Sequence, residues 1–264
     1  MGIHIENKLM FLHQAWPSGA IITAAALRAK GFSDQLIQKY CYSGWLKRIE
    51  TGAFVRQHDR VIWQGALHAI QHDLKKSIHI GGLTALSLSG LAHYLDVSLE
   101  ENIYLYNTSS TKVKLPHWFQ YFSKEIVFTY KQCHLFNEEL GLKMRTLEGL
   151  NIIVSEPERA ILEVLYLVPA VISVEHAANL VENLQTIRPK LMQSLLEECR
   201  HILVKRLFLC LADLSQLPVL RHLKINKIAL GSGDRTVNPG GKYFPKYKLI
   251  LAYDDSSDEE GMNV

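Results

Sequence analysis

The sequence predicts an α+β protein in which an N-terminal winged helix-turn-helix is followed by a larger mixed α/β domain. Three observations support this fold class: two short helical segments joined by a glycine-containing turn, a glycine hairpin directly after them, and later segments in which helical and strand-like patterns alternate. The chain has 264 residues, 48% hydrophobic and 21% charged, as in ordinary globular proteins. This length suits about two domains. We therefore expect residues 1–80 to form the first domain, 81–253 the second, and 254–264 an acidic, disordered tail.

The helix-turn-helix is predicted from its capping residues. Thr23 is placed to cap a helix over residues 24–30, and Gly31 stands where a left-handed residue is favoured after that helix. Ser33 is placed to cap the next helix, over residues 34–43. Two short helices joined by about three residues that include glycine are typical of a helix-turn-helix.

The helix over residues 34–43 has one apolar and one polar face, and a hairpin follows it. The strands of this hairpin are predicted over residues 45–49 and 53–56, with Gly52 in the turn. In a winged helix, the polar face enters the major groove, where Gln suits adenine and Lys suits guanine, and the wing lies along the phosphates. The candidate DNA-binding residues are the base-reading Gln35, Gln38 and Lys39, and the phosphate-binding Ser33, Tyr42, Ser43, Lys47, Arg48 and Arg56.

Charge is unevenly distributed along the chain. Residues 1–80 hold ten Lys and Arg against five Asp and Glu, whereas residues 81–253 hold nineteen against sixteen. The segment 254–260 contains five acids and no base. A mildly basic N-terminal third is consistent with a polyanion site there.

The remaining segments predict the second domain and its connection to the first. Ser155 is placed to cap a helix that begins near Pro157, and Glu158 would complete the capping box. Residues 225–230 are expected to pair with 246–252 around the Gly- and Pro-containing loop from Gly231 to Pro245. Further helices are predicted over 5–16, 63–74, 83–95, 173–185, 188–199 and 202–215, and strands over 102–106, 125–130, 144–147 and 150–154. The last two strands are expected to form a hairpin through Glu148-Gly149.

No catalytic, metal or cofactor site is predicted. His68 and His72 have the spacing of a zinc pair, but no third ligand or adjacent Glu accompanies them. The glycine-containing stretch from Gly231 lacks the Gly-Lys-Ser/Thr ending of a P-loop. The four cysteines are widely spaced and form no C-x-x-C pair, which favours reduced core thiols. With no signal-peptide pattern or long apolar span, we expect a cytoplasmic protein with no membrane partner.

Two other functions fit the same residues. The chain could be a nucleic-acid-modifying enzyme, a nucleotidyltransferase or nuclease, that a winged helix directs to its substrate. Alternatively, the winged helix could serve protein contact only. A Gly-Ser followed by a spaced Asp-x-Asp/Glu would favour the nucleotidyltransferase, and Gly231-Ser232 is not followed by one before the acidic tail.

The order of several short motifs resembles the AbiEi-like antitoxins of bacterial type IV (abortive infection) toxin–antitoxin systems. The resemblance rests on four stretches that cover most of the chain: Ser43-Gly44-Trp45-Leu46-Lys47-Arg48-Ile49 with Gly52-Ala53-Phe54, Gly81-Gly82-Leu83-Thr84-Ala85-Leu86 with Gly90-Leu91-Ala92-His93-Tyr94-Leu95, Glu156-Pro157-Glu158-Arg159-Ala160-Ile161-Leu162-Glu163, and Gly240-Gly241-Lys242-Tyr243 before Lys246-Tyr247. The sequence departs from the family in having Phe54 where Tyr is usual, and in its acidic tail.

The resemblance implies a DNA-binding antitoxin that represses its own operon. Its partners would be double-stranded DNA at its own promoter and a nucleotidyltransferase toxin encoded beside it, contacted directly or indirectly. The winged helix would recognise the operator and the C-terminal domain would counter the toxin. No catalytic residues and no cofactor come with this family.

Overall fold

The computed structural model describes residues 5–91, 102–124, 126–137 and 139–253, and the fold is mixed α+β. Its contacts form two compact units, each built from several stretches of chain. The first unit comprises Met1–Ile80, Ser98–Cys133 and Lys143–Val154, and the second comprises Gly81–Val97, His134–Leu142 and Ser155–Val264. Within the described ranges, no helix has the length and apolar character needed to cross a bilayer.

The first unit begins with short helices and a three-stranded antiparallel sheet. The elements are α1 (Ile5–Met10), a π-helical turn (Phe11–Ala15), β1 (Ile22–Thr23), α2 (Ala24–Ala29), α3 (Asp34–Tyr42), β2 (Leu46–Glu50) and β3 (Ala53–Arg56). The strand order is β1-β3-β2. The single helix expected over residues 5–16 is thus two helical segments. These elements enclose a small core of Leu12, Ile22, Leu27, Phe32, Ile37, Tyr40, Leu46 and Phe54.

The predicted capping residues of α2 and α3 are confirmed. The Thr23 hydroxyl oxygen accepts a hydrogen bond from the Ala26 N–H at 3.0 Å, and the Ser33 hydroxyl oxygen accepts one from the Leu36 N–H at 3.2 Å. Gly31 has a φ of +81°, the left-handed conformation that favours glycine after a helix. Local hydrogen bonds therefore fix the turn between the two helices.

A five-stranded mixed sheet completes the first unit. Helix α4 (Trp63–His72) leads to β4 (Ile78–Ile80), and the later strands are β5 (Asn102–Asn107), β6 (Val127–Gln132), β7 (Leu142–Leu147) and β8 (Leu150–Ser155). The order is β6-β5-β4-β8-β7, so β4 lies at the centre, antiparallel to β5 and parallel to β8. The first stretch of this unit ends at Ile80, and the unit also includes the later strands β5 and β8, which pair with β4. The assignment of one function to residues 1–80 and another to 81–253 remains a prediction.

The predicted hairpin between β7 and β8 forms around Glu148 and Gly149. Their φ angles are +50° and +75°, and two successive positive values are typical of the tight turn that suits twisted antiparallel strands. Glycine accepts this conformation without a steric cost. The turn sequence thus sets the register of this edge of the sheet.

His68 and His72 are used within the fold. Nδ1 of His68 and Nε2 of His72 lie 3.0 and 2.9 Å from the Asn151 carbonyl oxygen, and the two rings are 4.3 Å apart. Burial lowers the pKa of His68, which favours its neutral form. Across the described ranges, no group of three or more His, Cys, Asp or Glu is arranged to hold a metal ion. The two histidines therefore attach α4 to β8.

In its described residues, the second unit combines five α-helices with a small sheet. The helices are α5 (Gly82–Leu88), α6 (Pro157–Leu165), α7 (Val174–Glu182), α8 (Pro189–Glu198) and α9 (Ile202–Leu214), followed by 3-10 turns at Pro218–His222 and Ile225–Lys227. The strands β9 (Arg235–Thr236), β10 (Lys242–Phe244) and β11 (Leu249–Leu251) form a sheet of order β10-β11-β9.

The expected pairing of residues 225–230 with 246–252 is wrong, because β11 pairs with β10 and β9 instead. Residues 92–95 of the predicted helix and family motif, Glu125 of a predicted strand, and the tail 254–264 lie outside the described residues.

A buried ionic cluster joins α6 to its neighbours in the second unit. The Arg159 Nε donates to the Glu163 carboxylate at 2.9 Å, and both side chains are almost fully buried. The same carboxylate accepts hydrogen bonds from the Ser155 hydroxyl at 2.8 Å and the Gly82 N–H at 3.0 Å. The predicted capping role of Ser155 is wrong, since Glu156 occupies the N-cap position without a side-chain cap bond. The Ser155 hydroxyl donates its hydrogen bond to the Glu163 carboxylate instead.

Candidate nucleic-acid interface

Helix α3 packs one face into the N-terminal core and leaves the other exposed. Ile37 and Tyr40 are buried, while Gln38 and Lys39 are exposed and Tyr42 has 92% of its surface accessible. Gln35 is exposed on the same helix. The structure thus places the predicted base-reading side chains on an accessible polar face.

The β2–β3 hairpin presents two of the predicted phosphate-binding residues. Lys47 and Arg48 are exposed, between the buried Leu46 and the turn. The Arg48 guanidinium lies 5.4 Å from the centre of the buried Phe54 ring, its cross-strand partner. This cation–π contact orients the Arg48 side chain above the hairpin face.

Helix α3 and the hairpin border a common groove. It brings Gln38 and Arg48 together with Arg28, a basic residue that the sequence reasoning did not nominate. The complete lining is Ala24, Arg28, Asp34, Ile37, Gln38, Arg48, Thr51, Gly52 and Phe54. Arg28 lies in the last turn of α2, and its Nε donates to the Asp34 carboxylate at 2.9 Å across an exposed ion pair. The helix position of Arg28 was visible in the sequence, but its approach to this groove depends on the turn at Gly31.

The two predicted serines make local hydrogen bonds at the ends of α3. Ser33 caps the first turn, and the Ser43 hydroxyl donates to the Lys39 carbonyl oxygen at 2.9 Å. Both residues remain exposed. Their phosphate-binding role stays a prediction, and the structure adds a structural role to each.

Arg56 differs from the other predicted site residues. Its Nε donates to the Asp59 carboxylate at 2.9 Å, and both side chains are only 15% exposed. A second guanidinium nitrogen donates to the Leu12 carbonyl oxygen at 3.3 Å. Asp59 also accepts from the Gly19 N–H at 3.1 Å. These contacts commit Arg56 to linking β3 with the loops around it, so its predicted phosphate contact would require breaking an ion pair.

The charge of this surface comes from its exposed basic residues. Burial raises the pKa of the Tyr40 hydroxyl and of the Cys41 thiol, although nearby Arg48 opposes the rise for Cys41. Both groups are therefore neutral at physiological pH. Lys39, Lys47 and Arg48 supply the positive charge beside the polar helix face.

Replacing Ser33 separates its capping role from its predicted DNA contact. Ser33→Ala should lower the free energy of unfolding by about 1 kcal/mol, because α3 loses its cap. Ser33→Asp should keep the cap and the stability but weaken DNA binding, since it places a negative charge beside the phosphates. Urea unfolding and DNA titration of both variants measure the two effects. Equal DNA affinity for Ser33→Asp and the unmodified protein would show that Ser33 lies away from the phosphates.

Comparison with known families identifies the class of this protein. Residues 5–97 match the family described as "Transcriptional regulator, AbiEi antitoxin N-terminal domain". Residues 100–252 match the family described as "Transcriptional regulator, AbiEi antitoxin, Type IV TA system". The chain is therefore a transcriptional regulator of the antitoxin type. The chain belongs to the AbiEi antitoxin family of type IV toxin–antitoxin systems.

A solved structure shares the fold over nearly the whole chain. The crystal structure of the RV2827C protein from Mycobacterium tuberculosis superposes with a TM-score of 0.55 at 14% sequence identity, and covers 92% of this chain and 89% of that chain. At this identity, the likeness concerns the fold alone. A search of curated proteins found no match.

Proposed function

We propose that this antitoxin is an autorepressor that binds duplex DNA at its own promoter through a winged helix-turn-helix within residues 1–80. The observation that carries the proposal is the groove in which Gln38 of α3 meets Arg48 of the hairpin and Arg28 of α2. A base-reading amide beside a phosphate-binding guanidinium is the combination that sequence-specific DNA recognition needs.

In this proposal, α3 lies in the major groove and the β2–β3 hairpin is the wing. Gln35, Gln38 and Lys39 contact base edges, while Lys47 and Arg48 contact phosphates. Tyr42, at the exposed C-terminal end of α3, donates a hydrogen bond from its hydroxyl to a DNA phosphate. The exposure of all these side chains supports the assignment.

The second part of the proposal concerns the toxin. Residues 81–253 counter a cognate nucleotidyltransferase encoded beside this chain, and they do so in the cytoplasm without catalysing a reaction. Both family models are described as a transcriptional regulator and an antitoxin, which supports an antitoxin role for the chain as a whole. The test is rescue of cells that express the neighbouring toxin by the full chain carrying DNA-binding substitutions such as Lys47→Ala and Arg48→Ala.

The salt dependence of DNA binding tests the proposal directly. With five or so phosphate contacts, log Kd should rise against log salt with a slope of about 4 to 5, because each contact releases counterions. The full chain is the right material, since ending it at residue 80 would leave β4 without β5 and β8. Affinity that does not change between low and physiological salt would contradict the proposal.

Removing the wing charges should lower this slope. Lys47→Ala with Arg48→Ala should reduce it by about 2, since two phosphate contacts are lost, and should weaken operator and random DNA alike. The matched control is Lys112→Ala with Lys124→Ala, which removes two exposed lysines of the first unit. If the control pair lowers the slope as much as the wing pair, the effect reflects total charge and the wing is wrongly assigned.

A further inference from the structure

The second unit contains an open basic groove between α8 and the two 3-10 turns that follow α9. Its volume is about 900 Å³. The lining is Arg188, Pro189, Lys190, Leu191, Gln193, Ser194, Glu197, His222, Lys224 and Lys227. We call this feature the α8 groove.

Three lysines give the α8 groove its charge. Lys190, Lys224 and Lys227 are exposed, and within the described ranges none of them makes an ion pair. Arg188, by contrast, is paired with Glu156 at 3.0 Å and with Glu158 at 2.8 Å. The lysines therefore leave an excess of positive charge that the described residues do not neutralise.

The other groups of the groove are held in place by hydrogen bonds. The Gln193 amide oxygen accepts from the Lys224 N–H at 2.8 Å, and its nitrogen donates to the Glu197 carboxylate at 2.6 Å. Glu197 is the one acid in the lining, and this bond occupies one of its oxygens. The two walls are thus joined, so the lysines project from a fixed frame.

The last strand, β11, runs toward the end of α9 that lies beside this groove. Lys246 forms an ion pair of 2.8 Å with Asp213, near the C-terminal end of α9. Two residues later, the Lys248 carbonyl oxygen accepts a hydrogen bond of 2.9 Å from Arg206, in the N-terminal half of the same helix. Strand β11 therefore continues toward the N-terminal end of α9. At that end, Lys205 donates to the carbonyl oxygens of Glu197, at 3.5 Å, and of Ala229, at 3.1 Å.

These contacts place the groove within reach of the acidic segment. Ala229 is two residues beyond Lys227, and Glu197 itself lines the groove. Seven extended residues after Tyr253 span about 24 Å. The five acids of 254–260 fall within that length.

We infer that the acidic segment 254–260 binds in the α8 groove of its own chain, with its carboxylates on Lys190, Lys224 and Lys227. Charge complementarity and the direction of β11 support this occupant over a second copy of the chain. The inference does not depend on the proposed DNA-binding function, because it concerns residues outside 1–80.

Zero-length carbodiimide cross-linking of the intact protein tests the contact. This reagent joins a carboxylate directly to a neighbouring amine, and mass spectrometry identifies the linked residues. We expect links from the 254–260 acids to Lys190, Lys224 or Lys227 within the monomer. Links to Lys39 or Lys47 alone, or links found only between two chains, would overturn the inference.

A labelled peptide of residues 254–264 provides an independent measurement. The full chain with its five acids changed to Asn or Gln should bind this peptide by fluorescence anisotropy at low salt, and the unmodified chain should bind about tenfold more weakly, because its own segment competes intramolecularly. Lys224→Glu with Lys227→Glu should weaken peptide binding about tenfold, whereas the control Lys112→Glu with Lys124→Glu should not. No binding to the neutralised chain, or equal loss in the control, would overturn the inference.

Discussion

The double variant Gln38→Ala, Lys39→Ala is expected to lose most of its preference for the operator over random duplex DNA. Each side chain is exposed on the outer face of α3, and each bidentate base contact contributes about 1–3 kcal/mol of discrimination. Neighbouring contacts are not strictly additive, so the double variant should lose between the larger single effect and the sum of the two. Competition of labelled promoter DNA against random duplex measures the loss.

Two further variants serve as controls for the loss of operator preference. Gln120→Ala with Lys124→Ala removes the same two residue types from exposed positions of the 3-10 helix His117–Lys124 in the first unit, and should leave the preference unchanged. Arg48→Ala should weaken both DNAs nearly equally, since a phosphate contact positions the protein without reading sequence. The assignment of α3 as recognition helix fails if Arg48→Ala lowers the preference more than the Gln38 and Lys39 changes do.

Glu163→Leu should cost about 3–5 kcal/mol of folding free energy, the penalty for leaving a buried charge without its partner. Arg159 is fully buried, so it cannot turn to water when the carboxylate is removed. The Ser155 hydroxyl and the Gly82 N–H lose their acceptor as well. Urea denaturation of the variant and the unmodified protein measures the difference.

The double variant Arg159→Met, Glu163→Leu distinguishes a charge effect from a packing effect. Removing both charges should be less damaging than Glu163→Leu alone, because no unpaired buried ion remains. Glu163→Gln, which keeps the size and one acceptor oxygen, should fall between the unmodified protein and Glu163→Leu. A double variant as unstable as the sum of its single variants would show that the pair contributes no coupling.

Local signals in the sequence predicted the local structure of this chain well. Thr23 and Ser33 cap their helices as expected, because an N-cap needs only a hydroxyl and an N–H three residues away. The hairpin at Glu148 and Gly149 follows from the same short-range logic. The polar face of α3 was equally readable from helical periodicity.

Features in which several possible partners compete for one side chain or strand were not predictable in this way. Ser155 has the spacing of a cap, yet its hydroxyl donates to the carboxylate of Glu163, eight residues later. Arg56 has the position of a wing residue, yet Asp59 and a carbonyl oxygen hold it. Strand β11 pairs with β10 through a turn of four residues, and with β9, whereas the sequence pattern favoured the more distant residues 225–230. In each case, the folded chain offered a partner that competed with the one favoured by the sequence pattern.

The chain passes five times between its two compact units, and this has a consequence for inheritance. Protein modules are commonly exchanged between genes as single uninterrupted stretches of coding sequence. Neither unit here is such a stretch, because β4 is encoded before α5 while its neighbours β5 and β8 are encoded after it. A recombination that replaced only the first 80 codons would therefore place a β4 from one protein between the β5 and β8 of another. We expect operator specificity in this lineage to change by substitution on α3 rather than by exchange of the whole N-terminal stretch.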